Sequence, residues 1–406
     1  MSHSAAPTFA GSRRRLILLL GALAACGPIS VDMYLPALPA IAQGFGVDQA
    51  AAQLTLTLFM IGFAAGMLLY GPLSDAYGRR RLLIAGVAIY ALASLGCAFA
   101  PSIGVLIGLR FVQALGAGAA AVLARAIARD AHAPSEAARV MSILGIVTAV
   151  GPLLAPLIGG QMLLLGGWRA VFGLLAAYGA LSFVAVIRKV PETWPPERRA
   201  KAALRNSLHA YGRIARDPLA LGYLMCACLS FAAMFAYLAG TPFVYIEYYG
   251  VSPQHYGLLF AGNIVGMVAL NFMNSRLVGR VGTLPITRVV VTVHLIAALA
   301  TAFVSITGLG GLPALAVCLF FVVSTVAVLG ANCVTDLMHR YPSAAGAAAA
   351  LFGALQFVCG ACVASLVGVF SNGTPFSMGA LIGACGALAF AGYLLIAGRT
   401  RAALRR

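Results

Sequence analysis

Acidic side chains are scarce in this chain. Ten Asp and Glu stand among 406 residues, and only 9% of positions carry any charge. Soluble domains are about 25% charged and about 45–50% apolar, whereas here 62% of residues are hydrophobic. So few charged groups cannot cover a water-soluble core of this size, and the same numbers exclude intrinsic disorder. Reactive constellations are missing too: there is no HExxH, no GxSxG and no phosphate-binding glycine loop. The tempting cysteine pairs, Cys226-Ala-Cys228 and Cys359-Gly-Ala-Cys362, have no His, Asp or Glu within helical reach. They read as small apolar packing residues rather than metal or redox groups. The chain is therefore not expected to be an enzyme, and no metal or cofactor is expected.

What is present is a series of apolar runs, at 15–39, 51–74, 82–100, 103–124, 138–164, 168–189, 217–246, 254–275, 284–306, 310–337, 344–368 and 375–398. A helix needs roughly 20 residues to cross a ~30 Å hydrocarbon layer. Membrane strands alternate apolar and polar residues over about 10. The runs fit helices, so the expected fold class is an all-α polytopic membrane protein with twelve transmembrane helices. The loops between them are too short to fold as domains.

The basic residues give the orientation. Of 27 Lys and Arg, all but Arg110 and Arg169 fall in the two tails, in the central stretch 190–216 with its flank, or in loops after even-numbered spans. Positive charge is retained on the cytoplasmic side, so both termini are expected there. The net charge of +17 is thus a topology signal, and no nucleic-acid partner is expected. Ser12-Arg13-Arg14-Arg15 followed by an apolar stretch and Cys26 looks like a signal peptide. The apolar run continues past Cys26 through Pro39, so an uncleaved first span is the reading adopted.

The stretch 190–216, basic and containing Pro191, Pro195 and Pro196, divides the spans six and six. The expected organisation is a first bundle at 1–189, a cytoplasmic linker at 190–216 and a second bundle at 217–406. Transporters built from repeats share this plan, with a substrate site between halves near the bilayer midplane. The repeat is faintly visible: Gly71-Pro-Leu-Ser-Asp75-Ala-Tyr-Gly78-Arg79-Arg80-Arg81 joins spans 2 and 3, and Asn274-Ser-Arg276-Leu-Val-Gly279-Arg280-Val-Gly282 joins spans 8 and 9.

These segments carry a family resemblance. Residues 71–81 resemble the cytoplasmic loop signature of the major facilitator superfamily, and Arg110-Phe-Val-Gln113-Ala-Leu-Gly116-Ala-Gly118 resembles its fourth-helix signature. Gly151-Pro152-Leu-Leu-Ala155-Pro156-Leu-Ile-Gly159-Gly160 is similar to the fifth-helix signature of drug:proton antiporters, with Ala155 where that pattern has glycine. Asp32-Met33-Tyr34-Leu-Pro36-Ala-Leu-Pro39 looks like the Bcr/CflA drug-efflux branch. The resemblance implies two pseudo-symmetric six-helix bundles, a monomer, and a bacterial inner-membrane location. It also implies that helices 1 and 4 line the cavity, with helix 5 packed on helix 8 and helix 2 on helix 11.

Asp32 is the leading candidate residue, the acid placed deepest within a span. An ionised carboxylate in hydrocarbon costs several kcal/mol, so such groups face a cavity or a partner and are functional by default. It is expected to take a proton from the acidic side and release it when cargo arrives. Arg110 lies at similar depth, with Gln113 on the same helix face. Arg110 either pairs with Asp32 or caps the carbonyl of Ala24 left unpaired by Pro28. Gly151, Ala155 and Gly159 form a small-residue stripe bent by Pro152 and Pro156, and with Gly160 they are expected to be a packing hinge. Gly62 and Gly66, with Gly346, Ala350 and Ala354, would supply similar stripes on spans 2 and 11. Gly71, Asp75, Gly78, Arg79, Arg80 and Asp130 are expected to form a cytoplasmic gate. In it Asp75 would face a helix N-terminus of the other half, and Arg79 or Arg80 would pair with Asp130. Met33, Tyr34, Phe231, Met234, Phe235, Tyr237 and Asn332 are the expected cavity lining, since Met and aromatic faces suit varied apolar ligands.

The expected function is proton-coupled export of small, apolar antibacterial compounds such as chloramphenicol or bicyclomycin, by alternating access. The partners are thus the drug-like cargo, protons and the bilayer. The proton gradient supplies the energy, and a single intramembrane acid implies about one proton per cycle. Two alternatives are weighed against this: an exporter of an endogenous metabolite (amino acid, dipeptide or sugar) and a membrane-embedded sensor or enzyme. A sugar site would need more hydrogen-bonding groups than the spans supply.

Overall fold

The computed structural model describes residues 10–132, 134–198 and 203–404. The start of the basic N-terminal tail, residues 199–202 of the basic stretch, and Arg405 and Arg406 lie outside the described residues. No strand forms among the described residues. The first half contains α1 (Ala10–Asp32), α2 (Leu38–Phe45), α3 (Gln49–Tyr77), α4 (Arg79–Ala98), α5 (Ile103–Asp130) and α6 (Pro134–Lys189). A short helix α7 (Ala203–Ala215) follows. The second half contains α8 (Pro218–Thr241), α9 (Pro253–Val281), α10 (Thr283–Thr307), α11 (Gly311–Arg340), α12 (Ala345–Val369) and α13 (Phe376–Leu404).

Three departures from the expected spans have local causes. The first span is not one helix: α1 stops at Asp32, a 3₁₀ turn covers Leu35–Ala37, and α2 follows. Pro36 and Pro39 lack an N–H and disfavour helical geometry in the residue before them, so the chain re-forms its helix just beyond the acid. Pro242 has the same effect on the seventh span, which passes into a π-helical turn at Pro242–Tyr248. In the opposite sense, spans 5 and 6 run together as α6, whose 56 residues would extend about 84 Å if straight. The break lies at Gly166 and Gly167, where Gly167 takes φ +64°, a left-handed conformation that glycine adopts without a Cβ clash. Two crossings result, bringing the apolar spans to the expected twelve.

Within each half the helices approach closely through glycine. A Cβ on Gly116 of α5 would stand 2.5 Å from the Gly86 carbonyl of α4, and one on Gly66 of α3 would stand 3.1 Å from Gly118 Cα of α5. These contacts correct the expected sliding surfaces. Gly62 and Gly66 pack on α5 of the same half, not on α12. Gly151 meets Ile29 and Gly159 meets the backbone of Met33, so that stripe faces the first span rather than α9. The halves do meet along α3–α12 and α6–α9: Gly160 of the expected hinge meets the backbone of Pro253, and residues outside the expected stripes make the other contacts, Gly353 against Met67, Gly360 against Met60 and Gly368 against Ala50.

The seam is tightest at the end away from the basic loops. Gln53 Nε2 donates to the Ala239 carbonyl (2.7 Å), Ser371 Oγ to Gln49 Oε1 (2.6 Å) and Gln254 Nε2 to the Gly160 carbonyl (3.4 Å). Among the described residues, the side-chain hydrogen bonds joining the two halves all lie there. That face is closed.

Candidate functional site

A cavity of about 450 Å³ lies between the halves, and its walls come from both. The first half contributes Gly27, Pro28, Val31 and Asp32 of α1, Phe59 and Phe63 of α3, and Pro152 of α6. The second contributes Phe231, Met234, Phe235 and Tyr237 of α8, with α9 and α11 residues and Phe352, Gln356 and Phe357 of α12. The volume is in the usual range for a small-molecule site, apolar walls with few polar groups. Phe357 is the centre of an aromatic cluster across the seam, with ring centroids 4.8 Å from Phe63, 5.3 Å from Phe231 and 6.0 Å from Phe235.

Asp32 is 6% exposed and is the acid in this lining. Its position follows from the local sequence, because it is the last residue of α1 before the proline-driven break. Among the described residues its carboxylate has neither an ion pair nor a hydrogen bond. It lies in the wall of the cavity between the halves.

Arg110 is elsewhere, and the two pairings considered from sequence both fail. The guanidinium is fully buried behind the cavity wall, 4.2 Å from the Phe59 ring centroid, 4.5 Å from Tyr34 and 5.7 Å from Phe172. Its Nη1 donates to Gln113 Oε1 (2.7 Å), and Gln113 Nε2 donates to Ser94 Oγ (2.7 Å). Ser94 Oγ in turn donates to the Tyr90 carbonyl (2.6 Å), while the Tyr90 hydroxyl meets Ser30 Oγ (2.7 Å), two residues before Asp32. Among the described residues Arg110 Nε and Nη2 have no partner. Aromatic faces offer cation–π attraction that partly offsets the burial of the charge, but two donors stay unpaired, a costly arrangement in a low-dielectric interior.

Three expected lining residues are not in the lining. Tyr34 is fully buried, bonded to Thr55 and stacked on Arg110. Met33 is buried where its backbone meets Gly159. Asn332 is 2% exposed and exchanges hydrogen bonds with Asn274 (3.0 and 3.3 Å), so it ties α11 to α9 instead of facing cargo. The polar end of a side chain in a packed bundle seeks a partner first. Phe231, Met234, Phe235 and Tyr237 do line the cavity, as does Pro152; Ala155 is buried in α6, which continues helically through Pro156. Sequence reasoning missed Phe59, Phe172, Gln356 and Phe357. Gln356 carried a usable signal, a lone amide within an apolar span.

At the basic end, Arg79 is the hub of a compact cluster. Its side chain is 3% exposed and bonds Asp75 (2.9 Å) and Asp130 (2.8 Å), with Ser74 as a third partner. The Ser74 hydroxyl donates to the Gly71 carbonyl (2.8 Å). Gly78, at φ +99°, makes the turn that starts α4, a conformation few residues other than glycine adopt. Asp75 does not meet a helix N-terminus of the other half; it is held by Arg79 at i+4. Arg80 binds the carbonyls of Val190 (2.8 Å) and Ile187 (2.9 Å), and Glu192 accepts from the first N–H groups of α4, those of Arg79 (3.0 Å) and Arg80 (3.3 Å). Glu192 thereby caps a helix start whose N–H groups lack partners. The second half repeats the device: Gly282 has φ +84°, and Thr283 donates to Asp336 (2.8 Å) as Arg79 does to Asp130.

The comparisons with known proteins agree with this architecture. The family model described as Major Facilitator Superfamily matches residues 18–365. The chain is 36% identical over 386 residues to the "Uncharacterized MFS-type transporter YdgK" of Bacillus subtilis, covering 94% of this chain and 95% of that protein. It is 33% identical over 383 residues to the "Bicyclomycin resistance protein homolog" of Haemophilus influenzae, covering 94% and 96%. The partially occluded, inward-open xylose transporter of E. coli superposes with a TM-score of 0.72 at 17% identity, over 94% of this chain and 96% of that one, a likeness of fold. With a twelve-helix two-bundle fold and relatives matching along nearly its whole length, this chain belongs to the Major Facilitator Superfamily, in its Bcr/CflA drug-efflux branch.

Proposed function

We propose that this transporter exports small, mostly apolar antibacterial compounds from the cytoplasm in exchange for protons, in a bacterial inner membrane, as a monomer with both termini cytoplasmic. The observation that carries the reading is Asp32: an unpaired carboxylate in the wall of an otherwise aromatic and aliphatic cavity. Protonated, it is compatible with that cavity; ionised, it attracts a cationic or hydrogen-bonding ligand. Cargo and proton therefore compete for one group, which is the requirement for antiport.

Arg110 and Gln113 belong to the same device in this reading. The unpaired Nε and Nη2 of Arg110 are free to receive the Asp32 carboxylate when the first span shifts, since the break at Leu35–Ala37 and the short bonds through Ser30 couple that span to α4 and α5. The halves 1–189 and 217–406 then rock about the seam, with 190–216 as the tether and the Arg79 cluster as the cytoplasmic gate. A 100 mV potential contributes about 2.3 kcal/mol per charge, and one pH unit about 1.4 kcal/mol.

The relative's printed name, bicyclomycin resistance, supports a drug as the cargo, and the few polar groups in the lining disfavour a sugar. The test is transport into inverted vesicles, whose outer face is the cytoplasmic one, under an imposed pH gradient. Export of a bicyclomycin- or chloramphenicol-like compound is expected to rise with the gradient and to lose that dependence in Asp32→Asn. Gradient-independent export by the native protein would refute antiport.

A further inference from the structure

A second pocket, of about 240 Å³, lies apart from the cavity at the closed end of the seam. Gln49 of α3 lines it from the first half; Glu247 and Tyr248 of the π-helical turn, and Ser377 and Met378 of the first turn of α13, line it from the second. None of these residues has a part in the transport reading above.

Two groups in the lining of this pocket differ in polarity. Glu247 is exposed and its carboxylate has no ion pair or hydrogen bond among the described residues. This end of the molecule also lacks the basic excess of the other, since its charged groups are Asp48, Glu247 and Arg169, and Arg169 is engaged over the Trp168 ring at 4.1 Å. Ser377, also in the lining, is only 4% exposed, and its hydroxyl has no partner among the described residues. Ser377 stands in the first turn of α13, where backbone N–H groups lack intrahelical acceptors and the helix dipole favours negative charge. Thr374 Oγ1 already occupies the N–H of Phe376 (3.3 Å) and the Pro375 carbonyl that of Gly379 (3.0 Å), which leaves those of Ser377 and Met378 for a ligand. A plain cation suits the Glu247 wall and opposes the α13 wall, and a plain anion does the reverse. A zwitterion satisfies both. The volume lies below the roughly 300–1,000 Å³ of drug-sized sites, which points to a molecule of few heavy atoms.

We propose that this pocket binds a small zwitterion of the α-amino-acid class, its ammonium on Glu247 and its carboxylate on the Ser377 hydroxyl and the first-turn N–H groups of α13. Since Gln49 comes from one half and the other wall residues from the second, occupancy favours the closed state of this face: a ligand stabilises the conformation in which its site is complete.

Binding is read independently of export, so failure of the transport reading and failure of this site are separable. Calorimetry on the full-length purified protein uses L-alanine as probe, beside L-alaninamide, which lacks the carboxylate, and propionate, which lacks the ammonium. Alanine is expected to bind, with each truncated compound at least about tenfold weaker, the size of one charge-assisted hydrogen bond. Glu247→Gln should weaken alanine by a similar factor and leave propionate unchanged, and Ser377→Ala should weaken alanine and propionate alike. Hydrogen exchange should slow on alanine addition at 242–248 and 371–380. No binding at millimolar alanine, equal affinity for alaninamide, full affinity in Glu247→Gln, or protection confined to the helices of the central cavity would each overturn the assignment.

Discussion

Replacing Gly160 by alanine should open the closed face. A Cβ there would stand 2.8 Å from the Pro253 carbonyl oxygen, 3.3 Å from its carbon and 3.4 Å from Gln254 Cα. All three atoms are backbone of the other half's α9, so no flexible side chain can give way. Overpacking of this kind costs about 1–3 kcal/mol. The cost falls only on the state in which α6 and α9 touch, so the closed-to-open ratio at this face should drop by roughly 5- to 150-fold. Alanine also gains about 1 kcal/mol of helix propensity over glycine, but equally in both states, so that part cancels. Gly145→Ala on the same helix, where a Cβ meets nothing within 4 Å, is the control. Spin labels at Ser102 and Leu309, on the ends of the two halves at this face, report the separation by pulsed electron resonance, with the exposed Cys362 replaced. The distance distribution should move outward in Gly160→Ala and stay in place in Gly145→Ala. An unmoved distribution in Gly160→Ala, or equal shifts in both, would refute the reasoning.

Other consequences follow from single contacts. Arg79→Ala leaves Asp130, 10% exposed, with only the longer contact to the exposed Arg129 at 3.8 Å. A loss of about 3 kcal/mol is expected, read as a lower unfolding temperature and only partly restored in Arg79→Lys, which keeps the charge but not the fork. Asn332→Leu strands Asn274 and should destabilise by roughly 1–3 kcal/mol while the KM for export stays unchanged; a raised KM would return Asn332 to the cargo site. Asp217 gives a pH signature. Burial opposes its charge, but the bonds from Arg340, Tyr341 and the Leu219 N–H outweigh that and bring its carboxyl down to about 2 from 3.8. The depressed value means stability that is present above the unfolded value and lost as pH falls from about 4 through about 2. The pair is partly exposed, so at most about 1 kcal/mol is involved. Unfolding temperatures measured between pH 5 and 2 should show this step in the native protein and not in Asp217→Asn.

What the sequence disclosed and what it hid divide along physical lines. The spans were legible because lipid as solvent requires about 20 consecutive apolar residues per crossing. Asp32 was legible because a carboxylate in such a run is costly, and the Arg79–Asp130 pair because both groups end helices on the same face. The environment of Arg110 was hidden: its cage joins Tyr34 from the turn after α1 with Phe59 of α3 and Phe172 of α6, and only packing reveals which faces turn together. The small-residue stripes misled for a related reason. Gly62, Gly66, Gly151 and Gly159 do mark close approach, but periodicity does not say which neighbour approaches, and here it is a helix of the same half. Asn332 misled because a polar residue in an apolar span suits a cavity or a partner helix equally well, and Asn274 supplied the partner. The breaks after Asp32 and at Pro242 were written in the prolines, whereas the turn at Gly166–Gly167 rested on a pair of glycines inside an unbroken apolar run.

The central claim is that drug and proton compete for the Asp32 carboxyl. The direct measurement is proton release into weakly buffered solution when a bicyclomycin- or chloramphenicol-like compound is added to the purified protein at a pH where the group is protonated. Release approaching one proton per molecule, absent in Asp32→Asn while the compound still binds, is the predicted result. Undiminished release from Asp32→Asn, or binding by the native protein with no proton released at any pH, would contradict the account.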